Sequence, residues 1–170
     1  MRLIALLLAS LIVSGSAMAQ EWKEYAYPDD AFTVAFPAEP KLETMTYQAA
    51  DGRAVDARLY SLTQESGVFR MMVADLPDPA TQESAVIDHA IKALSQGGEV
   101  KVDIPHRISQ VYGRQLSITG PSGSRSSVAV FFHKHRLYQI EGTALPGTDA
   151  TADAIRFQQS LTFTGDASNR

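Results

Sequence analysis

Apolar and polar residues alternate with a period of two along most of this chain, as they do in β-strands that have one buried face. Glycine, proline and aspartate residues separate the alternating stretches. The pattern predicts strands at 32–36, 42–48, 55–62, 68–73, 100–104, 115–119, 127–132 and 137–141. Asp51-Gly52 lies between the second and third of these strands. This dipeptide is a strong hairpin signal, so the two strands are predicted to pair antiparallel.

Two stretches follow the period of an α-helix instead. The apolar residues between 86 and 94 fall on one face of a helix, with Asp78 or Thr81 as candidate N-caps and Gly97-Gly98 as its end. A second, shorter helix is predicted at 150–159. Both helices need a sheet face on which to bury their apolar side.

Prolines mark expected interruptions of the strands. Pro37 closes the strand 32–36, which is therefore expected at the margin of a sheet. Pro105 is expected to end the strand 100–104 and to leave His106 in a loop.

The order of these elements predicts the fold class. Residues 128–132 are apolar at every position, so this strand is expected to be covered on both faces and to lie centrally. Hairpin-length turns join most neighbouring strands, which predicts a mostly antiparallel sheet. We therefore predict an α+β fold, an α/β/α sandwich in which the helices pack on the faces of the sheet.

The start of the chain has the pattern of an export signal. Met1-Arg2 precedes an apolar run at 3–13, and Ala17-Met18-Ala19 matches a cleavage site. The run is shorter than the ~20 residues of a membrane-spanning helix. We expect a signal peptide at 1–19, cleaved after Ala19, a mature protein in the periplasm, and no membrane-spanning segment after cleavage.

The rest of the chain is expected to form a single domain at 20–164, followed by a flexible tail at 165–170. The mature chain of 170 − 19 = 151 residues is long enough to bury about 70% of its unfolded surface. The chain has no cysteine, which excludes disulfides, thiol nucleophiles, thiolate metal sites and a cysteine-linked lipid anchor.

Charge is distributed unevenly along the chain. The net charge of −4 argues against a nucleic-acid partner. Residues 101–140 nevertheless carry six cations and one anion, a net charge of +5, whereas residues 20–50 carry six anions and two cations. A docking face for a protein partner is one interpretation, and solvated strand edges are the other. The candidate docking residues are Arg114, Arg125, Lys134 and Arg136.

Two histidines at the end of the basic segment raise the question of a metal site. His133 and His135 flank Lys134 in a predicted hairpin turn, where neighbouring side chains need not point the same way. A stable zinc site also needs three or four ligands, and no further histidine lies at a recognised spacing. Metal binding by His133 and His135 stays open as an alternative, and no cofactor is predicted.

Several short motifs resemble those of small exported bacterial proteins with the PsbP-like fold. They are FTVAFPAEP at 32–40, GRQ at 113–115, RLYQI at 136–140 and FQQSL at 157–161. The resemblance implies the PsbP-like fold for the domain. This fold is named for an extrinsic subunit of photosystem II and is shared with a eukaryotic Ran-binding nuclear-import factor, and both are non-enzymatic partners of larger assemblies.

The sequence departs from the motifs of that family at one turn. Lys134-His135 stands where a turn glycine or asparagine is expected before RLYQI, and histidine is among the few residues that tolerate a positive φ there.

Residues for catalysis are not assembled in any recognised motif. The chain has no Gly-x-Ser-x-Gly elbow, and Gly120-Pro121-Ser122-Gly123-Ser124 has the composition of a loop. The hypothesis is therefore a non-catalytic periplasmic interaction module that docks on an envelope protein or complex. The alternative is a periplasmic binding protein for a small anionic ligand or a metal ion.

Overall fold

Ten β-strands and two α-helices make up the part of the chain that this computed structural model describes, residues 21–78 and 82–165. The strands are β1 (Lys23–Tyr27), β2 (Phe32–Phe36), β3 (Lys41–Gln48), β4 (Ala54–Thr63), β5 (Gly67–Asp75), β6 (Glu99–Ile108), β7 (Val111–Thr119), β8 (Arg125–His133), β9 (Arg136–Ala144) and β10 (Thr162–Phe163). The helices are α1 (Glu83–Ser95) and α2 (Thr151–Gln159), and Pro28–Asp30 forms a single 3₁₀ turn between β1 and β2.

Seven strands form one antiparallel sheet in the order β3-β4-β5-β9-β8-β7-β6. The predicted pairing of β3 with β4 around Asp51-Gly52 is confirmed, and Gly52 has the positive φ of 82° that this turn requires. β8 lies inside the sheet, as predicted. Its residues Val128, Ala129, Val130 and Phe131 are fully buried because both faces of the strand are covered.

One face of this sheet is covered by α1. The apolar stripe predicted for residues 86–94 packs there against side chains of β5, β7, β8 and β9. The members of this core include Val86, Ile87, Ala90, Met72, Leu116, Val128, Val130 and Leu137.

The other face is covered by α2 together with a separate three-stranded sheet of order β1-β2-β10. Aromatic rings dominate this core, whose members include Phe32, Phe36, Phe69, Phe131, Tyr138 and Phe157. The α+β prediction is confirmed, with mostly antiparallel strands and a helix on each face. β2 lies in the middle of the small sheet rather than at a margin, because Pro37 falls just beyond its end.

Helix α2 lies unusually close to β9 at Gly142. A Cβ atom at this position would come within 2.8 Å of Cα of Ala154 and closer still to the Ala154 carbonyl oxygen. The absence of a side chain at Gly142 is therefore what allows the helix to pack directly on the strand.

The predictions for Pro105 and His106 are wrong. Pro105 and His106 lie inside β6, paired with Arg114 and Gly113. β6 is the last strand of the sheet, and an edge strand tolerates a proline because one side of it carries no ladder hydrogen bonds. The ring of His106 packs 5.6 Å from that of Phe131, and its burial lowers the pKa of His106.

The start of α1 also differs from the prediction. Its N-cap position is Gln82, and no side chain of the described residues caps it. Asp78 instead accepts a hydrogen bond of 3.1 Å from Arg53, and Thr81 lies outside the described residues. The predicted signal peptide at 1–19 and all but the first residue of the tail at 165–170 lie outside them as well. No described helix is long and apolar enough to cross a membrane.

Candidate functional site

The two histidines of the basic segment lie at the β8–β9 turn, where the hairpin is closed by Lys134 and His135. Both residues have a positive φ, 49° and 60°, as the tight two-residue turn predicted here requires. The ring of His133 packs 5.5 Å from Phe163 of the small sheet, whereas the ring of His135 contacts Phe132, which packs on the α1 side. The two imidazoles therefore do not converge on one point. Among the described residues, no three acidic or histidine side chains form a group that could hold a metal ion.

Arg136, next to this turn, is held by neighbouring parts of the fold. Its Nε donates a 2.9 Å hydrogen bond to Asp75, and its Nη1 donates one of 2.7 Å to the carbonyl oxygen of Asp29. Asp75 also accepts a hydrogen bond from Nη1 of Arg58 at 2.7 Å. The hydrogen bond from Arg58 is the main cause of the lowered pKa of Asp75.

This network continues into the interior at Asp30, whose side chain is only 4% exposed. Its carboxylate accepts hydrogen bonds from Nε of Arg58 and from the hydroxyl of Tyr60, the latter at 2.6 Å. The hydroxyl of Tyr138 donates to the Asp30 carbonyl oxygen at 3.0 Å. Burial, and then the bond to Asp30, raise the pKa of Tyr60. The network joins the β1–β2 turn to the large sheet, which gives Arg136 a structural role.

Lys134 lies in this turn, whereas Arg114 and Arg125 lie apart from it. Arg114 forms an ion pair of 2.7 Å with Asp103 of the neighbouring strand β6. Arg125 begins β8, so at roughly 3.3 Å per residue it lies about 26 Å from the turn that holds Lys134. The structure therefore does not bring Arg114, Arg125, Lys134 and Arg136 to a single surface. Arg125 is exposed and has no ion pair among the described residues.

Arg125 does border a different surface, a groove between the edge strand β6 and helix α2. We call it the β6/α2 groove, and its volume is about 310 Å³. Its floor is formed by β7 and β8, and its walls by β6 and α2. The lining residues are Val102, Gln115, Leu116, Ser117, Arg125, Ser126, Ser127 and Ile155, with further contributions from α2.

Exposed apolar side chains run along this groove. Val102 is 42% exposed and Ile155 is 41% exposed, on opposite walls. Ile104 is 47% exposed and points to the same side of β6 as Val102, because the two are separated by one residue and pair with Ser117 and Gln115. These side chains form an apolar strip beside a strand whose outer edge has no partner strand in the described sheet.

The sequence predicts the strand that borders this groove but not the exposure of its apolar side chains. The alternation of Val102 and Ile104 identified a strand but not that these side chains remain uncovered, which depends on α2 packing over β8 and β9 rather than over β6. A residue in the groove therefore cannot be distinguished from a core residue by periodicity alone. Arg125 was selected for its charge, and the structure adds its position at the groove.

Comparison with known proteins identifies the fold. No family model matches the chain, and no curated protein matches it in sequence. The solution structure of the cyanobacterial PsbP from Synechocystis sp. PCC 6803 matches with a TM-score of 0.52 and 11% sequence identity. The match covers 90% of this chain and 98% of that one.

A crystal structure of a protein of unknown function from Pseudomonas aeruginosa matches less well. Its TM-score is 0.44 at 8% identity, and the match covers 81% of this chain and 92% of that one. The PsbP match agrees with the antiparallel sheet and its two packed helices. The chain has the PsbP-like fold.

Proposed function

We propose that the protein is a non-catalytic, periplasmic interaction module that docks on a protein of the cell envelope through the β6/α2 groove. The observation that carries the proposal is the exposure of Val102 and Ile104 along the edge strand β6, with exposed Ile155 of α2 on the facing wall of the groove. Apolar side chains exposed together beside unpaired backbone groups are typical of surfaces that bind another chain.

The geometry favours an extended segment of the partner as the bound element. Such a segment can add to the outer edge of β6, where main-chain hydrogen bonds supply affinity and alternate side chains contact the groove. Apolar side chains at every second position would lie beside Val102 and Ile104. Arg125 lies at the end of the groove without an ion pair in the described chain, so an acidic residue in the partner segment would complement it.

The other parts of the proposal rest on the sequence. Export to the periplasm follows from the signal pattern at 1–19, and the non-enzymatic character follows from the resemblance to PsbP-like proteins that act as partners of larger assemblies. Of the four cations suggested by charge alone, Arg125 is the one we assign to docking. Arg114 and Arg136 are already engaged in ion pairs of the fold.

Crosslinked capture of envelope proteins by tagged mature protein, residues 20–170, tests the proposal. The variants are Ile104→Glu, which places a charge in the apolar strip, and Arg125→Glu. The matched control is Leu42→Glu, because Leu42 is 56% exposed on β3, the opposite edge of the same sheet. Thermal unfolding of each variant establishes that the domain is folded.

We expect the unaltered protein and Leu42→Glu to capture the same partner, and both groove variants to lose it at least tenfold. The captured partner should contain an extended segment with alternating apolar residues and an acidic residue. Equal capture by Ile104→Glu, Arg125→Glu and the unaltered protein would rule out docking at this groove.

A further inference from the structure

A second groove lies on the opposite side of the large sheet, where α1 ends. We call it the hydroxyl groove, and its volume is about 310 Å³. Its floor carries four polar side chains from three adjacent strands: Arg70 of β5, Glu141 and Thr143 of β9, and Ser126 of β8. The strand register places Arg70 beside Glu141 and Thr143 beside Ser126, so the four are direct neighbours.

The carboxylate of Glu141 is the centre of this group. Its Oε1 accepts a hydrogen bond of 3.1 Å from Thr143 and lies 3.3 Å from the Ser126 hydroxyl. The two hydroxyls are 2.7 Å apart. Each hydroxyl has one hydrogen, so Thr143 donates to Glu141 and Ser126 donates to either of its neighbours. The other carboxylate oxygen, Oε2, lies 3.9 Å from Nη1 of Arg70, which is too far for a hydrogen bond.

This polar group interrupts an otherwise apolar face. Val128 of β8 pairs with Glu141, and Leu116 of the next strand, β7, pairs with Val128; both belong to the α1 core, where polar side chains would be costly to bury. The rest of the groove is lined by apolar side chains, which include Val68, Leu94, Ile118, Leu145 and Pro146, and by Ser122 and Ser124 of the β7–β8 loop. A concave site that combines apolar walls with convergent polar groups can hold a small molecule and fix its orientation.

Glu141 and Arg70 carry opposite charges and are only loosely paired with each other, at 3.9 Å. Glu141 is 24% exposed, and Leu94 and Gly97 from the C-terminal end of α1, where the helix dipole is negative, line the same groove. Both features favour a cation. Arg70 is 52% exposed, and its loose contact with Glu141 leaves guanidinium donors for an anion.

We propose that the hydroxyl groove binds a small zwitterion, namely an α-amino acid with an apolar side chain. Its ammonium group lies at Glu141, its carboxylate pairs with Arg70, and its side chain contacts Val68 and Leu145. The groove volume is at the lower end of the range for ligand sites, which suits a molecule of this size. The charged residues of this site, Arg70 and Glu141, do not line the proposed docking surface on the other face of the sheet, and Ser126 alone of the described residues borders both grooves.

Thermal unfolding and isothermal titration with L-valine test the site. Isobutylamine and isovalerate are the matched probes, because the first lacks the carboxylate of valine and the second lacks the ammonium group. We expect L-valine to raise the Tm saturably, by about 3–5 °C at ten times its Kd, and each half-molecule to bind at least tenfold more weakly.

The variants Glu141→Gln and Arg70→Gln keep the size of their side chains similar and remove one charge each. Both are expected to abolish the L-valine response, whereas Arg125→Gln on the other face leaves it unchanged. The proposal is overturned if L-valine, L-leucine and L-alanine at 10 mM give no response, if isobutylamine binds as well as L-valine, or if both variants respond like the unaltered protein. Glu141→Gln should still capture the docking partner, because Glu141 does not line the β6/α2 groove. Loss of the L-valine response in this variant therefore tests the hydroxyl groove separately from docking.

Discussion

The carboxylate of Asp30 accepts a bifurcated hydrogen bond from the single Nε–H of Arg58, with its two oxygens at 2.7 and 2.9 Å from Nε, across the gap between the small sheet and the large one. Asp30 lies in the turn between β1 and β2, and Arg58 lies in β4. A buried carboxylate is stable only when it is paired and hydrogen-bonded. The pair therefore fixes where the small sheet sits on the large one.

Replacing Asp30 by alanine is expected to destabilise the protein by about 3 kcal/mol, because Arg58 and Tyr60 both lose their buried acceptor. Urea unfolding of Asp30→Ala and of the unaltered protein measures the difference. The control is Asp29→Ala, since the neighbouring Asp29 is exposed and its contact with Arg136 uses only the backbone carbonyl. Equal losses in both variants would show that the buried pair is not the cause.

Asp75 is expected to make stability depend on pH in the acid range. Hydrogen bonding to Arg58 lowers the pKa of Asp75 in the folded protein. Its contribution is therefore present above the unfolded pKa of about 3.9 and is lost as the pH falls through the lower folded pKa. In Asp75→Asn, the free energy of unfolding should fall less steeply below pH 4. Asp56→Asn removes the same charge at an exposed site, and a slope for Asp75→Asn that matches this control would contradict the prediction.

Replacing Tyr47 by phenylalanine is expected to stabilise the protein. The hydroxyl of Tyr47 is buried and finds no hydrogen-bond partner in the described chain, and burial raises the pKa of Tyr47 to about 12. Tyr47→Phe should raise the free energy of unfolding by about 1 kcal/mol, because an unsatisfied polar atom leaves the interior. Tyr112→Phe is the control, since Tyr112 is 60% exposed and should show no change.

The same substitution has an effect at alkaline pH. A raised folded pKa means that the stability from Tyr47 is complete below the unfolded pKa of about 10 and is lost as the pH rises toward 12. Tyr47→Phe should therefore lose less stability than the unaltered protein between pH 10 and pH 12. Urea unfolding across this range measures both slopes, and parallel curves would count against the assignment.

Gly142 is expected to tolerate no side chain. In Gly142→Ala, the new methyl group meets the backbone of Ala154, so α2 must move away from β9, at a cost of about 2–3 kcal/mol. Gly97→Ala is the matched control, because its nearest atom would lie at an ordinary 3.6 Å and its φ is not positive. Thermal unfolding compares the two variants, and a neutral Gly142→Ala would mean that the helix is not held closely against the strand.

The fold was predicted well where the signal is local. Alternating strands, the Asp51-Gly52 hairpin and the apolar stripe of α1 each appear within a few residues, so their interpretation needs no knowledge of the rest of the chain. Pro105 was misinterpreted because its effect depends on whether its strand lies at the edge of the sheet, which is a property of the whole topology.

The candidate sites were less predictable for the same reason. Arg70, Ser126, Glu141 and Thr143 come from three strands that meet only in the folded sheet. The sequence signal for this site is Glu141-Gly142-Thr143, which places two polar side chains on one face of β9. The flanking residues Ile140 and Ala144 are buried. Charge alone suggested Arg136, and only the structure shows that its guanidinium is already bound to Asp75.

Pro105 also limits how copies of this protein can associate. An edge strand of ten residues with exposed Val102 and Ile104 is a template on which a second molecule could extend the sheet, and then a third. A proline in that strand supplies no N–H for such pairing. The stretch 99–104 stays open to a short guest segment, while edge-to-edge association of copies along the full length of β6 is disfavoured.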